Sequence, residues 1–299
     1  MKKERNLKLF FTPSVCLSLF ILLCVVGGAV FAHWLAPMDP TAISLKEALQ
    51  GPSSAHWLGT DQTGRDILSR LIYGGRTTLA GALGVVLLAS ALGLPLGLLA
   101  GYYGGWFDRG VRYLCDIIIS FPSLLLAFVL VAVFGRNLGN SVIAIGIIYV
   151  PMTAKLTRSL TITGKNKTYV EAARTVGYSG LRIMFTEILP NCIPSLMAQL
   201  TLDLGYAILD LAAMSFIGLG VQPPTPDWGA MLEEGQALLF SHPMIALAPG
   251  ILIAVTVVAI NMLSDGVLRY LDPTQRRLPR SRRRRAEALA ARKKEDACE

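Results

Sequence analysis

The sequence predicts an all-α membrane protein with six transmembrane helices. Of its 299 residues, 53% are hydrophobic and only 16% are charged, whereas soluble domains carry about 25% charged residues. The runs 9–38, 77–107 and 235–264 contain no Asp, Glu, Lys or Arg. Each run is longer than the roughly 20 residues that a helix needs to cross a bilayer. These observations exclude a pair of ordinary soluble domains.

The six predicted spans follow one another along the whole chain. The first apolar run, near 11–35, is longer than the core of a signal peptide, which has about 7–15 residues, so we expect an uncleaved span. Further spans are expected near 78–101, 114–134, 141–160, 193–217 and 244–263. Pro95 is expected to kink the second span and Pro151 to break the fourth, because proline removes a helical hydrogen bond.

The distribution of basic residues predicts the orientation. Six spans place both termini on one side, and the segments on that side hold 23 of the 28 Lys and Arg residues. Because cytoplasmic loops are rich in basic residues, both termini should be cytoplasmic. This topology implies an N-terminal segment 1–10, a membrane domain 11–268 with outer loops 36–76 and 218–242 and a cytoplasmic loop 161–191, and a basic tail 269–299. We expect the tail to be disordered and to face anionic lipid rather than nucleic acid.

The chain carries no recognisable motif for chemistry of its own. It contains no Gly-x-x-x-x-Gly-Lys-Ser/Thr phosphate loop, no His-Glu-x-x-His and no Cys-x-x-Cys. His33, His56 and His242 are far apart in predicted outer segments, where solvated side chains are a simpler interpretation than a metal site. We therefore expect no catalytic, cofactor-binding or metal-binding residue, and a membrane enzyme is disfavoured.

An amphipathic stretch, 168–190, lies between the long apolar runs. Gly177 and Gly180 are expected to break it into two short helices, and Pro190 to stop the second. The apolar positions that recur at helical spacing are Tyr169, Val170, Ala173 and Val176 in the first helix and Leu181, Met184, Phe185 and Ile188 in the second. A helix pair this short cannot bury its own apolar face, so it needs a partner in this chain or in another protein.

Two carboxylates lie inside the fifth predicted span. Asp203 and Asp210 are seven residues apart and so share one helical face. Carboxylates at membrane depth are costly and indicate either a solute pathway or structural pairing. The sequence leaves both possibilities open: a translocation path for a cationic solute, or hydrogen bonds to a neighbouring helix.

A row of glycines follows one face of the second span. Gly93, Gly97, Gly101 and Gly105 recur every four residues, and small residues at this spacing let membrane helices approach closely. We expect close packing here, with the lining of a pathway as the alternative.

The stretch 168–190 resembles the EAA loop of the transmembrane subunits of bacterial ABC importers. The matching positions are Glu171, Ala172, Ala173, Gly177, Leu189 and Pro190. The resemblance implies that this loop couples the chain to ATPase subunits, with Glu171, Ala172 and Gly177 at the contact. Glu187 stands where the family favours Ile, so we expect a modest change in the docking face.

Further motifs extend the resemblance over most of the chain. WLAPMDP, HWLGTDQTGRDILSRLIYGGR, AMSFIGLGVQPPTPDWGAML and LSDGVLRYLDP resemble the second permease of dipeptide, oligopeptide and nickel importers. The resemblance implies a type I ABC importer permease in the bacterial inner membrane, not itself an enzyme. It also implies a second homologous permease, two ATP-binding subunits that hold ATP and Mg²⁺, and an extracytoplasmic solute-binding protein.

The outer loops offer candidate contacts for that binding protein. Asp61, Arg65 and Asp66, with Arg70, either pair with one another and cap a helix, which we favour, or face the binding protein. Trp228 and its loop are a similar candidate.

The solute is left open by the sequence. The Thr201-Leu202-Asp203 segment and the HWLGTD context look somewhat more like nickel permeases than dipeptide permeases, so a nickel chelate and small peptides both remain candidates. The alternative function is a non-transporting membrane anchor or signalling protein that docks through the helix pair.

Overall fold

The computed structural model describes residues 12–271, in which the chain forms eleven α-helices. They are α1 (Pro13–Val30), α2 (Ala32–Leu35), α3 (Ile67–Tyr103), α4 (Gly105–Ser120), α5 (Ser123–Phe134), α6 (Leu138–Lys165), α7 (Thr168–Thr175), α8 (Gly180–Arg182), α9 (Leu189–Phe216), α10 (Trp228–Gln236) and α11 (Met244–Leu271). A short 3₁₀ helix covers Leu45–Glu47, and a π-helical segment covers Ile183–Ile188. The segment 1–10 and the tail beyond residue 271, including its expected disorder, lie outside the described residues.

Within the described residues, five helices are long and apolar enough to cross a membrane, and a bent helix pair passes the same test when its two helices are counted as one span. The pair is α4 and α5, which meet at 89°. The prediction of one continuous helix over 114–134 is therefore wrong. Phe121, which precedes Pro122, adopts an extended backbone with φ −90° and ψ 142°, as residues before proline usually do.

The other long helices are more continuous than the sequence predicts. The helix α6 runs through Pro151 without interruption, so the expected break is absent. The helix α3 also contains Pro95 and begins at Ile67 rather than near residue 78. Its early start has a local cause, because the Asp66 carboxylate caps it and accepts from the Ser69 N–H at 2.8 Å.

The glycine row confirms close packing between α3 and α6. Three threonines of α6, also four residues apart, face three of the glycines. A Cβ added to Gly93, Gly97 or Gly101 would lie 2.8, 2.6 or 2.7 Å from the Cβ of Thr153, Thr157 or Thr161, respectively. Gly105 does not belong to this contact, because a Cβ there would meet nothing within 4 Å.

The loops gather at two opposite ends of the bundle, as six crossings require. At one end, which we call the outer end, Gln62 donates to the Glu234 carbonyl at 2.8 Å. At the other, inner end, the Lys165 ammonium donates to the Tyr102 carbonyl. A Cβ on Gly266 would collide with Val15, so α1 begins beside the last turns of α11. The side of the membrane on which each end lies remains a prediction from the charge distribution.

Candidate functional site

The loop over 168–190 folds as a short helix closed by a glycine turn. The Gly177 N–H bonds the Arg174 carbonyl at 2.9 Å, and the Tyr178 N–H bonds the Ala173 carbonyl at 3.1 Å. These two bonds form a Schellman motif, in which the residue after the helix takes a positive φ. Gly177 has φ +86°, so the predicted break at this glycine is present. The next helix begins at Gly180 with the Ser179 side chain as its cap.

Most of the apolar face of this loop is buried within the chain itself. Val170, Met184 and Ile188 are almost fully buried. They form one cluster with residues of α3 and α9, namely Leu98, Cys192 and Leu196, together with Ala173 and Ile183. The partner that the amphipathic pattern required is therefore largely this chain, which anchors the loop to the inner end of the bundle.

Pro190 does not stop the second helix, and the prediction that it would is wrong. Residues Gly180–Phe216 form one continuous helix that includes the π-helical segment before Leu189. In that segment the Leu189 N–H reaches the Met184 carbonyl, five residues back. The wider turn ends just before Pro190, which has no N–H to donate. The coupling loop thus continues directly into the span α9.

An exposed strip remains on the inner surface of the loop. Val176, Leu181 and Phe185 expose 72%, 54% and 56% of their surface. Glu171 and Ala172, on the same loop, are also exposed. We call these five residues the docking face. Ala173 belongs to the buried cluster instead, and Leu189 is half-buried at the start of α9.

The loop that carries the docking face packs against the end of α3. The Arg174 guanidinium lies 5.7 Å from the centre of the Tyr102 ring, within the range of a cation–π contact. A Cβ on Gly180 would lie 2.9 Å from Cε1 of the same ring. Arg182 stacks 3.9 Å above the Tyr178 ring. The position of the loop relative to α3 is therefore fixed by aromatic contacts as well as by the apolar cluster.

The two carboxylates of α9 lie beside α6. The Tyr149 hydroxyl of α6 donates to Asp210 Oδ2 at 2.7 Å, and Gln199 Nε2 donates to Asp203 Oδ1 at 2.9 Å. Asp203 is buried and Asp210 half-buried. Hydrogen bonding to a neighbouring helix, one of the two predicted alternatives, is thus present for Asp210. Each hydrogen bond uses one carboxylate oxygen.

At the outer end, charged side chains form a buried network. Asp61 Oδ2 accepts from Arg65 Nε at 2.7 Å and also from Arg70. Both arginines reach Glu234 of α10, with Arg65 Nη2 at 2.9 Å from Oε2. Burial alone would raise the pKa of Asp61. The Arg70 charge, the Arg65 N–H and the Arg65 charge oppose that effect and hold the pKa below its ordinary value. The favoured mutual pairing is present.

Asp66 and Trp228 are buried as well. Asp66 Oδ1 lies 3.0 Å from His56 Nδ1, so His56 is a buried partner and not the solvated side chain that was expected. Trp228 fills a notch at Gly74 and Gly75, and its Nε1–H donates to the Leu71 carbonyl at 2.9 Å. Contact with a binding protein through these residues remains a prediction, and within this chain their side chains are covered.

Sequence reasoning missed three partners at these sites. Glu234 joins the outer network from α10, His56 joins Asp66, and Tyr149 joins Asp210. Glu234 and Tyr149 come from distant elements, so no local spacing indicates them. His56 carried a weak signal, because it stands in the same motif as Asp66.

Comparison with known proteins identifies the family. A family model described as a binding-protein-dependent transport system inner membrane component matches residues 93–277. A relative from Pectobacterium atrosepticum, named glutathione transport system permease protein GsiD, is 42% identical over 261 residues, which cover 87% of this chain and 86% of the relative. The protein of the same name from Shigella sonnei is 43% identical over 257 residues, covering 86% and 84%.

A solved structure supports the fold. A chain of the MetNI methionine ABC transporter, in an inward-facing conformation, superposes with a TM-score of 0.57. The match covers 69% of this chain and 98% of the MetNI chain, at 19% sequence identity. At that identity it supports only the fold, that of a type I importer permease. The family confirms the predicted fold class, the bacterial inner-membrane location and the role as a permease subunit rather than an enzyme. It disfavours the alternative of a non-transporting membrane anchor or signalling protein. The chain belongs to the binding-protein-dependent transport permeases, as a transmembrane subunit of an ABC importer of the peptide and nickel family.

Proposed function

We propose that the docking face couples this subunit to an ATPase that drives solute import. The observation that carries the proposal is the division of the loop into a buried anchor and an exposed strip of Val176, Leu181 and Phe185. Exposed apolar side chains at the inner end fit a protein groove. In the assembly that we propose, this chain pairs with a second homologous permease, and two ATPase subunits bind below. ATP and Mg²⁺ bind in those subunits, and this chain holds neither.

The loop geometry supports a mechanical route for coupling. The second helix of the loop, which carries Leu181 and Phe185, continues into α9 without interruption. Only two residues separate α6 from α7, which lies before the Gly177 turn. A displacement of the docking face by ATPase closure is therefore passed to α6 and α9, which carry Tyr149 and Asp210. Glu187 is half-exposed beside the strip and hydrogen-bonds Thr186 at 3.2 Å. It adds a carboxylate to the edge of the proposed contact.

A charge placed on the docking face tests this proposal. Val176→Asp should reduce both ATPase co-purification and ATP-driven uptake by at least about tenfold, because burying an unpaired carboxylate in an interface is strongly unfavourable. The matched control is Thr163→Asp, which places the same charge on an exposed position of α6. Full coupled uptake by Val176→Asp would contradict the proposal.

For the solute, we propose a short peptide, with glutathione as the first candidate. The support is the name of relatives at 42–43% identity over most of the chain. The Thr201-Leu202-Asp203 segment and the HWLGTD context resemble nickel permeases, but these are short motifs, whereas the relatives match over most of the chain. The experiment is uptake of labelled glutathione, a dipeptide and Ni²⁺ by the complete importer with its binding protein in cells that lack other importers. Saturable Ni²⁺ uptake with no peptide uptake would contradict the proposal.

Asp203 and Asp210 are proposed to contact the ammonium group of the passing peptide. Each keeps a carboxylate oxygen for which the structure shows no hydrogen bond in the described chain, while the other oxygen is held by Gln199 or Tyr149. Asp203→Asn should cut uptake and leave the complex assembled, whereas Asp265→Asn, at an exposed position of α11, should leave uptake unchanged. Unchanged uptake by Asp203→Asn would remove Asp203 from the pathway.

A further inference from the structure

The helix α4 carries three different faces. The first face packs on α3 and α6 through Val111 and Cys115, which are buried with Ala100 and Ala154. Asp108 lies on the same side, and both of its oxygens accept from Arg158 of α6, one of them at 2.8 Å. This face fastens α4 laterally to the bundle.

The second face of α4 is apolar, aromatic and exposed. Trp106, Tyr113 and Leu114 expose 80%, 69% and 62% of their surface, and Ile117 is also exposed. At 3.6 residues per turn these positions share one side of the helix. Tyrosine and tryptophan are enriched where a membrane meets water, because an apolar ring and a polar atom are satisfied there together.

The third face of α4 is charged and exposed. Arg109, Arg112 and Asp116 recur at intervals of three and four residues. Arg112 makes a single loose contact with Asp108 at 3.5 Å, and the only bond found for the Arg109 guanidinium within the described chain is a long one to the Gly105 carbonyl, at 3.4 Å. Both arginines therefore keep donors for an outside partner.

The direction and position of α4 explain this pattern. It meets α5 at 89°, and α5 ends at the outer turn, where the Asn140 amide bonds the Phe134 and Gly135 carbonyls. The helix α5 packs on the candidate span α6, because Ala127 and Val131 share one cluster with Ile145. We take the direction of α5 as that of the span, so a helix perpendicular to it lies roughly parallel to the membrane. The start of α4 directly follows Tyr102 and Tyr103, against which the docking loop packs, so α4 belongs to the inner end.

We propose that α4 lies in the inner membrane interface and binds anionic phospholipid headgroups through Arg109 and Arg112. An amphipathic helix in this position buries its apolar face about 5–10 Å into the boundary between headgroups and acyl chains. Trp106, Tyr113, Leu114 and Ile117 supply that face, and the two arginines meet the phosphates beside it. In this arrangement α5 leads from α4 to the outer turn, and α4 is a lipid-binding helix beside the proposed coupling loop.

The depth of α4 distinguishes an interfacial helix from half of a span. Spin labels are placed at Trp106→Cys, Tyr113→Cys and Ile117→Cys in the complete importer in lipid nanodiscs, with the native cysteines replaced. Accessibility to oxygen and to a water-soluble nickel chelate then gives each label's depth. We expect one shallow depth for all three labels, whereas Leu17→Cys and Leu23→Cys on α1 should differ in depth.

Two results would overturn the interfacial position. A depth that changes steadily from residue 106 to residue 117 would make α4 part of a tilted span. Labels shielded from both oxygen and the chelate would show that a protein, such as the second permease, covers the apolar face. A spin label at Arg109→Cys should be accessible to the water-soluble chelate, which independently tests the orientation of the charged face.

The preference for anionic headgroups is tested by measuring which lipids the importer retains. In nanodiscs of mixed phosphatidylglycerol and phosphatidylcholine, the wild-type importer should retain phosphatidylglycerol above its bulk share. Each arginine near the surface contributes about a fivefold preference, so Arg109→Gln with Arg112→Gln should abolish most of it. Arg109→Lys with Arg112→Lys should preserve it, because the positive charges are kept. No enrichment by the wild-type protein would overturn the proposal.

Discussion

The inner coupling loop and the outer charged network hold their helices together in opposite ways. The coupling loop is anchored by apolar side chains around Ile188 and leaves Val176 and Phe185 exposed. The outer network is held by ion pairs from Arg65 and Arg70 to Asp61 and Glu234. Its charged groups are largely buried. Exposure therefore distinguishes the surface that we propose for ATPase docking from a network whose charged groups pair within the chain, although both regions carry recognisable motifs.

The two kinds of anchor also differ in how they tolerate change. Apolar burial is non-directional and roughly proportional to the area removed from water. A buried ion pair depends on geometry, and an unmatched charge left behind is strongly unfavourable. The inner apolar cluster should accordingly tolerate small changes of side-chain shape, whereas the outer network favours a single arrangement of α3 and α10. The following variants test that contrast.

The largest effect is expected at Arg70. Arg70→Met removes one of the two arginines that Asp61 and Glu234 share and leaves Arg65 as the other. It should destabilise the subunit by about 3–5 kcal/mol, because two carboxylates then face a single arginine and one buried negative charge is uncompensated. Thermal unfolding of the purified importer measures the change. Arg136→Met, at an exposed position of the outer turn, is the matched control. A melting temperature equal to that of the control would show that the network is not a brace.

A smaller effect is expected at Gly177 of the coupling loop. A Cβ there meets nothing within 4 Å, but its φ is +86°, so the cost is conformational. Gly177→Leu should destabilise the turn by about 1–2 kcal/mol and lower the uptake achieved per ATP hydrolysed. Gly177→Asn should retain most coupling, because Asn tolerates this region. Coupled uptake that survives Gly177→Leu would show that the turn is not required.

A graded effect is expected in the inner apolar cluster. Ile188→Val removes one buried methylene and should cost about 0.5–1.5 kcal/mol, with the helix pair still in place. Hydrogen exchange of residues 168–178 should rise modestly, and ATPase co-purification should persist. Loss of the whole loop structure on this single change would mean that the inner anchor is as intolerant as the outer one.

The smallest effect is expected from pH at the outer end. Burial raises the pKa of Asp227 above 3.8, although its bonds to Thr78 and to two backbone N–H groups partly oppose the rise. Its protonated form is therefore favoured in the folded protein. This contribution is present below 3.8 and is lost as pH rises through the raised pKa. The wild-type protein should gain stability relative to Asp227→Asn as pH falls from neutral towards 4.

The pH dependence of stability that Asp61 contributes has the opposite sign. Its lowered pKa means that its stabilising contribution is present above about 3.8 and is lost only as pH falls through the lowered value. The difference in melting temperature between wild type and Asp227→Asn, recorded between pH 4 and 7.5, should therefore report Asp227 and not Asp61. A difference between wild type and Asp227→Asn that stays constant over this range would contradict the expected rise in the Asp227 pKa.

The sequence alone predicted much of the architecture because the signals are local. Charge-free runs predict membrane helices, and the spacing of Gly93, Gly97 and Gly101 predicts a close helix contact. Residues Glu171 to Gly177 resemble a coupling loop, a role that remains a prediction. Each of these depends on residues that are neighbours in the chain. The composition also excluded a soluble protein, since the charged fraction is low throughout the spans.

Tertiary structure decided which of these residues are accessible. Trp228 and Asp61 are in motifs but are covered by α3 and α10, and Glu234 joins the outer network from a distant helix. Pro190 is accommodated because the preceding π-helical turn shifts the hydrogen-bond register, and Pro122 instead turns the chain by 89°. Burial and hydrogen-bond register depend on contacts between segments far apart in the sequence. Local patterns therefore identified the candidate stretches, and only the packed fold determined which of their faces are exposed.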